Sequence, residues 1–254
     1  MRESNEIEME PGSLKCYNLA EITACGVYGG PILSATSRFM LQCLEAKMSK
    51  KDKKLKKHSK NGAKQQEKLK GTPMDMTYQA VPSVPPEDAG LLTLLAGAAW
   101  AETAREVANV DATAKWPNDL LVGEAKAGGM LAESRVVEGR LEVVILGSGI
   151  NLEPPEIDGP VAGLGADADP ADLLVGFLVR FRAGYEVEPP RFSDEVRARW
   201  RAVAATLGRD VEAARTDGVP IRGRAVDIDA RGGLVLDTRD GLAVVSFGEV
   251  VHLT

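Results

Sequence analysis

Between residues 87 and 107 the apolar residues Leu91, Leu94, Leu95, Ala98 and Ala101 recur at three- and four-residue spacing, which predicts a helix with one buried side. Pro85-Pro86 opens it, acidic residues occupy its start where the helix dipole favours them, and Ala96, Gly97 and Ala99 are small enough to pack closely against a sheet. Residues 120–122, 128–136 and 141–146 then read as strands, with Glu138-Gly139 as the hairpin signal between the last two. Two further helices follow: a buried one over 170–185, and one capped by Ser193 that runs to Leu207 and stops at Gly208. From Arg209 onward the segments shorten. Residues 211–215, 221–228, 234–237, 242–247 and 249–253 are strands separated by Asp217-Gly218, Arg231-Gly232-Gly233 and Asp240-Gly241, a spacing that predicts a small all-β barrel.

The first third of the chain reads differently. An apolar stretch over 23–33 is broken by three glycines, and residues 38–46 have helical spacing at Phe39, Leu41 and Leu44, but neither piece is long enough to stand alone. Residues 47–70 hold 11 lysines against Asp52 and Glu67, a block of like charge that predicts a solvated segment. Residues 1–70 carry 12 lysines and 2 arginines; the remainder carries 2 lysines and 15 arginines, so two usages meet near residue 70.

With 44% hydrophobic and 27% charged residues, the composition is that of a globular protein and excludes disorder throughout, collagen and a disulfide scaffold. The longest apolar run, 89–101, is shorter than the roughly 20 residues a membrane helix needs, so no membrane span is expected. The acidic start lacks the pattern of a secretory signal, and three cysteines are too few for a disulfide framework, which makes a cytoplasmic setting the expectation.

Candidate chemistry centres on Lys115-Trp116-Pro117-Asn118-Asp119. Pro117 holds the preceding residue out of helix, and the run places an amide and a carboxylate side by side at a strand end, a pair suited to a phosphate-bearing ligand and Mg²⁺. Lys126 follows, then Ala127-Gly128-Gly129-Met130-Leu131, whose glycines allow a ligand to approach the backbone. Lys115 and Lys126 are the two lysines of the arginine-using part of the chain. A lysine ammonium is a compact donor to a single oxygen where arginine is a planar fork, so a tight pocket can demand the former. A dinucleotide fingerprint would need glycine where Leu152 stands, and a Walker A loop would need Gly-Lys where Gly128-Gly129 stands, so both are excluded. His58 and His252 are the two histidines and form no metal-ligand pattern.

KWPND at 115–119, KAGGML at 126–131 continuing to Glu133, and LEVVILGSGINL at 141–152 occur in the order and spacing that resemble biotin protein ligases, with the likeness extending from about Val81 to Thr254. The resemblance implies an α+β fold: a class II synthetase-like catalytic domain, with a mixed sheet and flanking helices, followed by a small SH3-like C-terminal barrel. It divides the chain into an atypical segment 1–75, a catalytic core 76–207 and a barrel 208–254.

It further implies an ATP-dependent enzyme that forms biotinyl-5′-AMP and transfers biotin to a lysine of a carboxyl carrier domain, using ATP, biotin and Mg²⁺. By the resemblance Lys126 is the catalytic lysine and binds biotin with Gly129; Thr36 and Ser37 echo a biotin-contacting turn. Lys115, Asn118, Asp119 and Asn151 face ATP, with Asp119 also toward the metal. Trp116 is either a wall of the site or a packing residue. The family's glycine- and arginine-rich biotin loop and its tryptophan have no counterpart: no arginine stands between Arg38 and Arg105 and no tryptophan before Trp100. Impaired activity is therefore expected. The alternative is a non-catalytic relative that binds nucleotide or a carrier domain and is tethered by its lysine-rich segment. No specific DNA binding is expected, and a homodimer is compatible with the fold.

Overall fold

The computed structural model describes residues 14–16, 74–80, 84–165, 167–187, 191–214, 219–246 and 248–253. The expectations for 23–33, 38–46 and the lysine run, and those for Thr36, Ser37 and His58, fall outside the described residues. Among the described residues no helix is long and apolar enough to cross a membrane.

Six strands form the larger sheet: β1 (Leu14–Cys16), β2 (Met74–Ala80), β3 (Ala112–Lys115), β4 (Asp119–Val122), β5 (Ala125–Val137) and β6 (Arg140–Ile150), in the spatial order β1-β2-β6-β5-β4-β3. Every pairing in it among the described residues is antiparallel, where a mixed sheet was expected; the parallel contacts among them are the isolated bridges Ala114 to Ala204 and Lys126 to Val161. The β5–β6 turn falls at Glu138 and Gly139, both in the left-handed region at φ 50° and 75°, as the hairpin signal predicts.

Helix α1 (Ala89–Val107) lies across this sheet. Glu87 and Asp88 occupy a short 3-10 turn before it instead of its first α-helical turn. It is buried on more than one side: besides the predicted stripe, Leu92, Ala96, Ala99, Trp100 and Ala104 are inaccessible. A Cβ on Gly97 would come within 3.2 Å of the Met130 methyl, the close sheet contact its small residues foretell. The side of α1 away from the sheet is taken by α2 (Pro170–Tyr185) and α3 (Arg191–Val203). Trp100 stacks on Phe177 at 4.5 Å, and Phe177, Phe181 and Tyr185 continue the column down α2. Asp169 caps α2 by accepting from the Ala171 N–H at 2.8 Å, with Pro170 beginning the helix.

Helix α3 departs from expectation at both ends. Ser193 lies inside it, and its hydroxyl donates to the Ala230 carbonyl at 2.5 Å instead of capping. The helix ends at Val203, not Leu207, because the next residues pair with the sheet: Ala204 bridges Ala114, and the Ala205 N–H donates to the Ala114 carbonyl at 2.8 Å. Gly208 does make a turn, at φ +81°, into the smaller sheet.

That sheet contains β7 (Asp210–Ala213), β8 (Ile221–Ile228), β9 (Leu234–Thr238), β10 (Gly241–Val245) and β11 (Val250–His252), in the order β10-β9-β8-β7-β11. Its inward residues Val211, Ala225, Ile228, Leu234 and Leu236 join one continuous core with α1. The β8–β9 turn reaches farthest: a Cβ on Gly232 would meet Leu94 at 2.9 Å and Leu91 at 3.3 Å, both on α1.

Arginine use now has a structural reason. Arg199 grips Glu102 through two bonds of 3.0 and 2.5 Å, tying α3 to α1; Arg201 grips Asp227 at 2.6 and 3.0 Å, tying α3 to the barrel. Arg209 holds Glu124 in the same two-pronged way. A planar fork suits such fastening and an ammonium does not.

Candidate active site

Antiparallel pairing brings the two predicted motifs together. Asp119 begins β4 and stands opposite Gly129 of β5, which stands opposite Gly149 of β6. Partners across an antiparallel ladder share a face. Gly147, two residues from Gly149, therefore shares it too and faces Leu131. Leu146, Ser148 and Ile150 alternate to the other side and are buried beneath α1. Across its middle the open face thus has a floor without side chains, flanked by Leu131, 63% exposed, and Ile145, 41% exposed.

Lys126 reaches this face through an irregularity. In a regular strand, residues three apart point to opposite sides. Here Leu120 pairs with Gly128 and Leu121 with Lys126, so Ala127 is an extra residue in the ladder. Such a bulge returns Lys126 to the side of Gly129 and Asp119. The Lys126 Nζ lies 2.6 Å from Asp119 Oδ1, and a Cβ placed on Gly129 would be 3.5 Å from that nitrogen. The lysine side chain remains 53% exposed, so its ammonium retains donors for an incoming anion.

Lys126's backbone is clamped as well. Its N–H donates to the Pro160 carbonyl at 2.8 Å, and its own carbonyl accepts from the Ala162 N–H at 2.9 Å. Asn151 secures the same returning loop, donating through Nδ2 to the Ala162 carbonyl at 3.1 Å, while its N–H donates to the Ala127 carbonyl. Asn118 turns back on the sheet, with Nδ2 donating to the Met130 carbonyl at 2.8 Å.

Lys115 pairs with Asp119 in the β3–β4 ladder and is half-buried. Its charge is felt on the barrel side: burial first, then Lys115 and Arg209, hold the His252 imidazole below its usual range, with Glu124 opposing. Glu124 is itself held low, chiefly by the hydrogen bond from Arg209. Trp116 is a packing residue. It is 2% exposed, its N–H donates to Thr206 Oγ1 at 3.0 Å, and its indole N–H donates to the Gly232 carbonyl at 2.9 Å.

Lys126, Asp119 and Gly129 therefore converge, Lys115 and Asn118 flank them at the strand end, and Asn151 organises the adjoining loop. The Gly147 and Gly149 floor went unread in the sequence, although glycines two apart in a strand signal one bare face. Among the described residues no three histidine, cysteine or acidic side chains cluster to hold a metal. A single carboxylate can hold a hydrated Mg²⁺ that arrives with a phosphate-bearing ligand, and the carboxylate beside Lys126 is Asp119.

Comparison with known proteins gives the family and the fold. Residues 76–151 match the model of the biotin/lipoate A/B protein ligase family, and residues 206–253 match that of the biotin protein ligase C-terminal domain. The chain is 28% identical over 179 residues to the bifunctional ligase/repressor BirA of Bacillus subtilis, covering 66% of this chain and 55% of that protein. It is 33% identical over 181 residues to the biotin–[acetyl-CoA-carboxylase] ligase of Mycobacterium tuberculosis, covering 68% of this chain and 66% of that one. The match to the Bacillus protein thus spans only about half of that relative's length. In fold it resembles the biotin protein ligase of Aquifex aeolicus solved in complex with biotin and ATP, with a TM-score of 0.53, 22% identity, and coverage of 70% of this chain and 78% of that one. With both family models matched in order, and the fold shared, the chain belongs to the biotin protein ligase family.

Proposed function

We propose that the chain is an ATP-dependent ligase that activates biotin as biotinyl-5′-AMP and passes the biotinyl group to a lysine on a carboxylase carrier domain. The observation that carries this reading is the Lys126 ammonium, paired with Asp119 at 2.6 Å and half exposed beside the glycine floor. An oxygen of the biotin carboxylate attacks the α-phosphorus of ATP, and the bond to the bridging oxygen breaks to release pyrophosphate. The carrier lysine's amine then attacks the acyl carbon, AMP leaves with the bond electrons, and the amine gives up a proton.

Lys126 is the residue suited to both steps, because both gather negative charge where a fixed donor is most effective. Asp119 holds that ammonium in place before substrate arrives. It is also the residue that would hold Mg²⁺ brought by ATP, which when bound offsets phosphate charge. Lys115 and Asn118 serve the phosphates at the same strand end, and Asn151 borders the nucleotide while bracing the loop against Lys126. The bare backbone at Gly129 supports the seating of biotin, and Thr36 and Ser37 are proposed as further biotin contacts.

The decisive experiment is biotin-dependent exchange of labelled pyrophosphate into ATP by the full chain. Exchange at saturating biotin is the expected result. Its absence with a folded protein would sink the enzyme and leave the non-catalytic binding relative.

A further inference from the structure

Three contacts at the base of the site are not used by the chemistry above: two are made by Trp116 and the third by its partner Thr206. The Trp116 backbone N–H, at the junction of β3 and the turn carrying Asn118 and Asp119, donates to Thr206 Oγ1 at 3.0 Å. Its indole N–H donates to the Gly232 carbonyl at 2.9 Å. Thr206 is inaccessible to solvent and lies 3.3 Å from the His252 ring nitrogen Nε2. A buried hydroxyl that accepts from Trp116 still needs an acceptor for its own proton. Among the described residues the His252 ring is the side-chain partner of that hydroxyl besides Trp116, with the imidazole tautomer setting which of the two donates, so Thr206 is held between the Trp116 N–H and His252.

Thr206 belongs to the link between α3 and β7, and Gly232 to the β8–β9 turn, so both anchors come from beyond the larger sheet. The link is itself bound to β3: Ala204 bridges Ala114, and Ala205 donates to the Ala114 carbonyl. Pro117 has no N–H to contribute, so the Trp116 N–H is the last backbone donor that can fix the strand end before Asn118 and Asp119.

We infer that Thr206, with the Gly232 carbonyl as second anchor, is a positioning residue that sets the turn presenting Asn118 and Asp119 to the nucleotide. The inference rests on the proposed ligase reading and deepens it. The phosphate-facing end of the site is held from the barrel side, whereas the Gly129 and Gly149 floor is built within the larger sheet. Loss of the anchor then acts on ATP and spares biotin.

The test uses the full chain. Thr206→Val keeps the shape and removes the acceptor, leaving a buried N–H unpaired, which corresponds to roughly a tenfold effect. The KM for ATP in pyrophosphate exchange is expected to rise by roughly that factor, with the KM for biotin and kcat within about twofold. Thr206→Ser, which retains the hydroxyl, is expected to restore the ATP KM. Hydrogen exchange of a peptide covering 114–119 is expected to quicken in Thr206→Val and not in Thr206→Ser. Should Thr206→Val fail to fold, Trp116→Phe removes the bond to Gly232 together with part of the buried ring, keeps the Trp116 backbone bond to Thr206, and is expected to raise the ATP KM severalfold. An unchanged ATP KM, an equal rise for biotin, or no rescue by serine overturns the inference. No exchange by the unsubstituted chain overturns the ligase reading instead, and hydrogen exchange then decides whether Thr206 holds the turn.

Discussion

The Lys126–Asp119 pair on the open sheet face and the Arg199–Glu102 pair between helices α3 and α1 are both short, yet they are built for opposite ends. Lysine meets one oxygen at 2.6 Å, and its side chain stays 53% exposed. Arginine meets both oxygens, donates a third bond to the Arg180 carbonyl at 3.0 Å, and is only 16% exposed. A compact ammonium with donors to spare can turn to a new anion, whereas a fork with its donors committed cannot. The difference explains why lysine is scarce and arginine frequent beyond residue 70: fastening the helices takes forks, and binding a substrate oxygen takes a point charge.

The sharpest break of this comparison is Lys126→Ala. Removing a donor aimed at developing negative charge is expected to lower the pyrophosphate exchange rate by roughly 10²–10³-fold, while the thermal midpoint hardly moves. Equal losses of rate and stability would mean that Lys126 is a structural cation like Arg199. Next in size is Arg199→Ala, which leaves a largely buried Glu102 carboxylate without its partner. A loss of about 2 kcal/mol in denaturant unfolding is expected, with kinetic constants of the folded protein unchanged; a stability change below about 0.5 kcal/mol would show the fork to be dispensable.

Acid should act more gently, through two groups of the smaller sheet. His252 titrates below its ordinary 6.5 because burial, Lys115 and Arg209 disfavour its cation. The unfolded chain then takes the proton first, so this contribution is whole above pH 6.5 and is lost as pH falls toward the folded value. Asp227, held below 3.8 chiefly by the hydrogen bond from Arg201, contributes in the same sense in a lower window, lost as pH falls below 3.8. Unfolding midpoints measured from pH 7 to pH 3 should therefore decline in two stages, with His252→Asn removing the upper stage and Asp227→Asn the lower. A single stage indifferent to His252 would contradict the buried junction. Smallest is Arg182→Ala: its pair with Glu186 is half exposed on both sides, and a change within about 0.5 kcal/mol is expected.

Much of this was legible before any coordinates. Helix α2 carries its own cap and proline, the Glu138-Gly139 turn needs two left-handed residues, and the glycine turns of the barrel punctuate short apolar runs; each is a local signal satisfied by neighbours in sequence. Lys115 and Lys126 stood out for a similar reason, as the two lysines of the arginine-using part of the chain, and Asp119 by its place in the same motif. Less legible were β3, whose Ala-Thr-Ala-Lys alternates over only four residues and with side chains too small to signal a buried face, and the end of α3, where helical propensity over 204–207 yields to pairing with Ala114. The family implied by the motifs is the one that the fold and the relatives support.

The sequence by itself determined the hairpins, the helices and the identity of the charged groups, because caps, turns and periodicity act over a few residues. Tertiary structure alone decided which of those groups meet. The bulge at Ala127 turns Lys126 onto the face of Asp119, ladder register lays Gly129 against Gly149, and Thr206 comes under Trp116 from 90 residues away. Contacts of that range depend on a register and a packing that no local pattern encodes, since a one-residue slip would send every such side chain to the opposite face.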